Sequence, residues 1–393
     1  MHSNRIDLTI RVPDASKRVP RAQPVDFCGP AGGPTIHLGD TLAPTTLASR
    51  HDSHRARHRC GHVGHRRAAQ SADPHRAVYL YRGADRDAKL VERAKQEGSV
   101  AVYTSLAPTE GGPLAEAFEK KYGIKVQMWR ALSDGVVQRA LSEARGRRHA
   151  ADVIETNGPE MEALAREQLL APFFSPQLAD LPPAALPAHG LWVPDRLNFF
   201  VVAYNTAKLK PEDLPKTYEG FLDPKWKGRI ALEATDAEWM GGVVKAWGEA
   251  RGMGFMRKLA QMKPEMRKGH VLLAQLIASG EVEVGLTAYH ANAESFKKRG
   301  APIDWAGVQP VIARPQGIGV LRQAPHPHAA LLFVDFMLSR EAQGMLAQMG
   351  RTPVSRAVKS DTSGLEYVLS DPAVVLDEND KWQALWDQLF MGK

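Results

Sequence analysis

The chain has 393 residues, with 51 Lys and Arg against 44 Asp and Glu for a net charge of +7, and 44% hydrophobic residues. That length exceeds one ordinary core and makes two lobes the default. No apolar run reaches the roughly 18 residues that a membrane-crossing helix needs. The charge is uneven: residues 1–82 hold 13 Lys and Arg, 6 Asp and no Glu, while the remaining 311 residues balance 38 basic against 38 acidic side chains. The basic excess therefore does not describe the rest of the chain, and a nucleic-acid partner is not expected. Both cysteines, Cys28 and Cys60, fall in the same early stretch. The rest has no thiol catalyst, disulfide or cysteine-based zinc site, a usage that suits an oxidising compartment.

Residues 1–70 have neither a helical nor a strand period, and residues 1–75 carry no secretory apolar segment. They are expected to be a disordered or mistranslated leader, absent from the mature protein. The His51, His54, His58, Cys60, His62 and His65 group also admits a metal reading, since His54, His58 and His62 recur every four residues. From Tyr79 the character changes. A helix is predicted over Asp87–Glu97, stopped by Gly98, then a strand over Val100–Thr104 that leaves through Ser105 and Leu106. Pro113–Tyr122 reads as a helix and Ile124–Met128 as a strand. A helix over 134–145 follows, with Ser133 as its N-cap. Asp152–Thr156 reads as a third strand, leaving through Thr156 and Asn157, and Pro159–Glu167 as a helix. Strands alternating with helices predict a parallel sheet. Hydroxyls and amides at strand exits beside helix N-termini suit an oxygen-rich ligand, or serve as ordinary caps.

The apolar run Leu197–Tyr204 is a strand, Pro211–Leu222 a predicted helix, and 229–233 another strand. Asp236 opens the next helix and places Glu238 and Trp239 in its first turn. Between Arg267 and His290 the pattern switches from a helix, stopped at Gly280, to a strand from Val282 that leaves on Tyr289 and His290. In open α/β sheets ligands bind beyond the carboxyl ends of strands, which singles out this phenol and imidazole. A strand is expected to end at Gly319-Val320-Leu321 after Val311-Ile312, followed by helices over Pro327–Leu338, Arg340–Gln348 and Glu378–Phe390.

Four blocks carry a resemblance to a known family: Val102-Tyr103-Thr104-Ser105, Tyr204-Asn205-Thr206, Leu222-Asp223-Pro224-Lys225-Trp226-Lys227-Gly228-Arg229, and the tail Ala329–Ser339. Together they resemble the ferric-iron-type bacterial solute-binding proteins, the type II periplasmic receptors of ABC importers. The resemblance implies an α/β fold of two lobes, each a mainly parallel sheet flanked by helices. Two hinge crossovers would lie near 196–204 and 308–320. Lobe 1 would comprise 76–196 plus 320–393, and lobe 2 residues 197–319. It also implies a periplasmic monomer that needs no cofactor and hands its cargo to a membrane permease.

In iron-binding members two adjacent tyrosines supply phenolates to Fe(III); here Tyr289 matches the first and His290 replaces the second. Tyr289, His290 and Glu238 are the expected metal ligands. Ser105, Leu106, Ser133, Thr156, Asn157, Trp239, Arg267 and His270 complete the expected ligand-binding set, with Arg267 able to pair an anion in bidentate fashion. Two cargoes stay open: Fe(III) or an iron–anion complex, and a small organic anion such as a phosphonate or carboxylate. No Gly-x-Ser-x-Gly elbow, His-Glu-x-x-His or Walker loop is present, so no enzyme is expected.

Overall fold

The computed structural model describes residues 73–392. The expected leader, with its histidine cluster and both cysteines, lies outside the described residues apart from positions 73–75. The chain opens with α1 (Arg76–Tyr79), α2 (Arg86–Glu97), β1 (Ser99–Thr104), α3 (Pro108–Tyr122), β2 (Lys125–Arg130), α4 (Ser133–Arg145), β3 (Val153–Asn157) and α5 (Gly158–Arg166). Helix α2 ends as expected at Gly98, whose φ of 76° favours a residue without Cβ. Helix α3 starts earlier than expected because Pro108 suits the first turn, where no N–H is needed. Strand β1 pairs in parallel with β2 and β3. Its side chains alternate: Val100 and Val102 enter one core, Tyr103 another.

The long strand β4 (Val193–Asn205) is followed by three short 3₁₀ turns over Pro211–Asp213, Tyr218–Leu222 and Pro224–Trp226. The expected helix over Pro211–Leu222 is therefore absent. Pro215 accounts for this, since it bars the preceding Leu214 from helical geometry. Next come β5 (Ile230–Glu233), α6 (Ala237–Trp247), α7 (Glu249–Gln261), β6 (Glu265–Arg267), α8 (His270–Ser279), β7 (Val284–Tyr289), α9 (His290–Lys298), β8 (Ile303–Ala306) and β9 (Ile312–Val320). Strand β9 lies within the crossover expected over 308–320. The chain closes through α10 (Pro327–Leu338), α11 (Arg340–Gln348), β10 (Thr352–Pro353), β11 (Val368–Leu369), α12 (Pro372–Asp377) and α13 (Asn379–Trp386).

The main path through the sheet runs β2-β1-β3-β9-β4-β7-β5-β6. Its two ends are parallel, β1 with β2 and β3 on one side and β5 with β6 and β7 on the other. The two long strands in the middle, β4 and β9, run antiparallel to each other and to their neighbours β7 and β3. These are the strands at the expected crossovers.

Two large cores lie on either side of them. The first gathers Tyr79, Leu90, Val102 and Phe118 with Leu331, Phe333, Phe336, Leu346 and Val354, so it draws on both ends of the described chain. The second gathers Phe200, Tyr218, Trp226, Trp239, Met256 and Leu286 with Trp382 and Trp386. The last helix thus packs with the second core, although its sequence position suggested the first lobe. Helix α12 remains on the other side, where Arg166 of α5 pairs with Asp377 and donates to the Ala373 carbonyl.

Candidate functional site

Tyr289 reaches its position through an irregularity in the sheet. Along β7, Val284 and Leu286 face the second core, and strict alternation would turn Tyr289 away from it. The β4–β7 ladder pairs Ala203 with Gly285 but Val201 with Ala288, so β7 carries one extra residue. Such a bulge re-aims the side chains beyond it. Ala288 faces a separate small cluster, and Tyr289 returns to the face of Leu286. Its ring meets Phe200 edge-on at 5.1 Å and stacks on His270 at 3.5 Å with an interplanar angle of 16°.

The phenol oxygen, on a residue only 8% exposed, accepts a hydrogen bond from Arg314 Nη1 at 2.8 Å. Arg314 Nε also donates to Glu238 Oε2 at 2.5 Å. One guanidinium on β9 therefore bridges the end of β7 and the first turn of α6. The other carboxylate oxygen of Glu238 has no hydrogen-bond partner among the described residues. Burial opposes the charge of Arg314, but Glu238 and Tyr289 beside it hold it firmly protonated.

His270 opens α8 after Gly269, whose φ of 109° is costly for any other residue. The Gly269 N–H donates to Glu233 Oε1 at 2.7 Å, which pins this turn to the end of β5. His270 Nε2 lies 3.2 Å from Asp236 Oδ1, while its Nδ1 and Asp236 Oδ2 have no hydrogen-bond partner among the described residues. Ligand atoms of Glu233, Asp236 and His270 all lie within 4.8 Å of one another. Burial pushes the Tyr289 phenol well above its ordinary pKa, and Asp236, Glu238 and Glu233 add to that against the opposing pull of Arg314. Burial also raises the Asp236 carboxyl, with His270 opposing.

The first-lobe strands approach the same place. Asn157, at the end of β3, pairs with Gln316, two residues from Arg314 on β9. Its Nδ2 donates to Glu160 Oε1 at 3.2 Å. Burial raises the pKa of Glu160, offset in part by the nearby Arg314 charge. The centre thus holds Tyr289, Glu238, His270 and Asn157 of the expected set, and adds Arg314, Glu233, Asp236 and Glu160.

The other expected residues make different contacts. Trp239 is fully buried in the second core and donates its indole N–H to the Tyr218 hydroxyl at 3.4 Å. Arg267, with its side chain 35% exposed, pairs with Glu265 at 2.5 Å and Glu281 at 3.5 Å, so it is a surface ion pair. Ser133 is the first residue of α4; Leu132 holds the cap position, with no side-chain cap bond. Leu106 packs in the first core and donates its N–H to Thr104 Oγ1 at 2.9 Å. Ser105 donates its N–H to the Glu155 carbonyl. Thr156 is buried within the sheet, its hydroxyl without a hydrogen-bond partner among the described residues. His290 parts from Tyr289 altogether. It begins α9 and lies against Trp305 and Asp361. The expected metal set of Tyr289, His290 and Glu238 is therefore split.

Arg314 escaped the sequence reading although it left a signal. It is the one charged residue of a mostly apolar strand, between Ala313 and Pro315, and a buried charge needs a partner.

Two parallel half-sheets joined by a pair of antiparallel crossover strands, with titratable groups gathered beside them, define a two-lobed receptor of the type II periplasmic-binding class. Iron-bound HitA from Pseudomonas aeruginosa shares this fold, with a TM-score of 0.65 and 24% identity, over 73% of this chain and 99% of that one. Residues 103–344 match the bacterial extracellular solute-binding protein family, and the chain belongs to it. Among characterised relatives, iron uptake protein A1 of Synechocystis sp. is 26% identical over 324 residues, 72% of this chain and 87% of its own. A putative 2-aminoethylphosphonate-binding periplasmic protein of Salmonella typhimurium is 26% identical over 295 residues, 70% and 81% of the two chains.

Proposed function

We propose that this protein captures ferric iron, alone or with a companion anion, in the periplasm and delivers it to an ABC importer. The observation that carries the reading is the charge of the centre. Glu233, Asp236 and Glu238 surround a phenol and an imidazole, and one guanidinium opposes them. A phosphonate or carboxylate entering there would meet three carboxylates and an arginine already engaged. A hard trivalent cation would meet anionic oxygen, the donor it prefers. The iron uptake relative supports the same cargo.

Residues 197–319 and α13 would form one lobe, and the rest of the described chain the other. Cargo held by Tyr289, Glu238, Asp236 and His270 would be covered when Asn157 and Glu160 approach from the first lobe. Closure is then favoured by the cargo's higher affinity for the closed form. Arg314 holds the phenol and the Glu238 carboxylate together until iron competes for those oxygens. Once displaced, its planar fork suits a carboxylate or phosphate companion. That role falls to Arg314 and not to Arg267. The chain acts as a monomeric carrier rather than a catalyst.

Titration of chelator-treated protein with ferric citrate tests the reading. A visible tyrosinate-to-iron charge-transfer band should saturate at one iron per chain. Tyr289→Phe should abolish the band and lower affinity by more than about 100-fold, beyond the cost of losing an outer-shell partner. Absence of the band, together with tight binding of 2-aminoethylphosphonate, would establish the organic-anion reading instead.

A further inference from the structure

His290 faces a second group of donors that shares no residue with the Tyr289 centre. Glu294 lies four residues further along α9, on the same helix face. Asp361 comes from the segment between β10 and β11. The imidazole is 1% exposed, and neither ring nitrogen makes a hydrogen bond among the described residues. Its Nε2 stands 3.4 Å from Asp361 Oδ1. Ligand atoms of His290, Glu294 and Asp361 all lie within 4.8 Å of one another. Trp305 closes one side, its ring edge-on to the imidazole at 4.5 Å and its N–H donated to Glu294 Oε2 at 3.0 Å. Lys298 Nζ is 3.9 Å from Glu294 Oε1.

The spacing is informative. A charge-assisted imidazole–carboxylate hydrogen bond would draw in to about 2.7–2.9 Å. Two donors on a tetrahedral ion, with bonds of about 2.0–2.1 Å, stand about 3.3 Å apart. A buried imidazole with no hydrogen bond is costly, and an ion would satisfy it. Glu294 and Asp361 face Lys298, and the nearby Lys297 is paired with Asp304, which leaves one negative charge for a cation to neutralise. We propose that His290, Glu294 and Asp361 form a second metal site for a divalent transition ion of zinc type, bound through one imidazole nitrogen and two carboxylates with water as fourth ligand. Imidazole and carboxylate together suit such an ion. The ion fastens the segment between β10 and β11 to α9, apart from the cargo centre.

Equilibrium dialysis of chelator-treated, full-length protein against zinc chloride tests the site. Residues 51–65 also offer histidines, so the readout is the difference between variants. Asp361→Asn and Glu294→Gln should each bind one zinc fewer per chain than the wild type. Zinc should raise the melting temperature of the wild type more than that of Asp361→Asn. Asp361→Asn should keep the ferric charge-transfer band, so failure of this site and failure of the iron reading are told apart. Equal zinc uptake and equal thermal shifts in wild type and Asp361→Asn would overturn the proposal.

Discussion

Tyr289 and Arg314 set the chemistry of the centre between them. The phenol is held protonated by burial first and then by Asp236, Glu238 and Glu233, so iron bound there as proposed would have to displace its proton. Ferric affinity should therefore fall as pH falls, which competition against a chelator at several pH values would measure. Arg314→Gln removes one partner of a buried pair, a change that costs about 3–5 kcal/mol. Urea unfolding of the iron-free variant should show that loss, and saturating ferric citrate should recover part of it.

A second buried guanidinium, Arg196, serves Glu155 at 2.5 Å and Asp195 at 3.0 Å. Burial pushes the Asp195 carboxyl from 3.8 to about 7 against the pull of Arg196. Between those values the folded state holds a proton that the unfolded state has lost. Stability from this group is thus greatest at low pH and declines as pH rises towards 7, by at most about 1.4 kcal/mol per pH unit. Urea unfolding at pH 5 and pH 8 should show the decline in the wild type and a smaller one in Asp195→Asn.

Elements with a regular pattern were legible in the sequence. Helices α2, α5, α10 and α11 appear within a residue or so of their expected ends, because apolar period and stop signals agree. Tyr289 could be singled out because it ends an alternating strand, but its direction could not be read. The bulge that turns it depends on the β4 partner, and no local residue pattern announces it. The parting of Tyr289 and His290 was hidden for the same reason: one residue ends a strand and the next begins a helix. Trp239 illustrates the limit of position alone. It occupies the first turn of α6 beside Glu238, yet helix rotation sends it inward. Trp239→Ala should cost about 3–5 kcal/mol in urea unfolding, with the ferric band retained.

At the scale of the whole molecule, α12 and α13 straddle the two sides. Arg166 pairs with Asp377 on one side, and Lys245 with Glu378 on the other. These ion pairs are exposed and contribute little. Trp382 and Trp386 carry the attachment, the latter donating its indole N–H to the Ala234 carbonyl at 2.9 Å, two residues from Asp236.

The first core has a consequence for how the chain is made. Tyr79 and Leu90 pack there with Phe333, Leu346 and Val354. A ribosome has released most of the polypeptide before those late side chains emerge, so the earlier strands wait with one face uncovered. Contacts so distant in sequence form slowly. A nascent chain that delays its own completion stays threadable, the condition for passage across a membrane in an unfolded state.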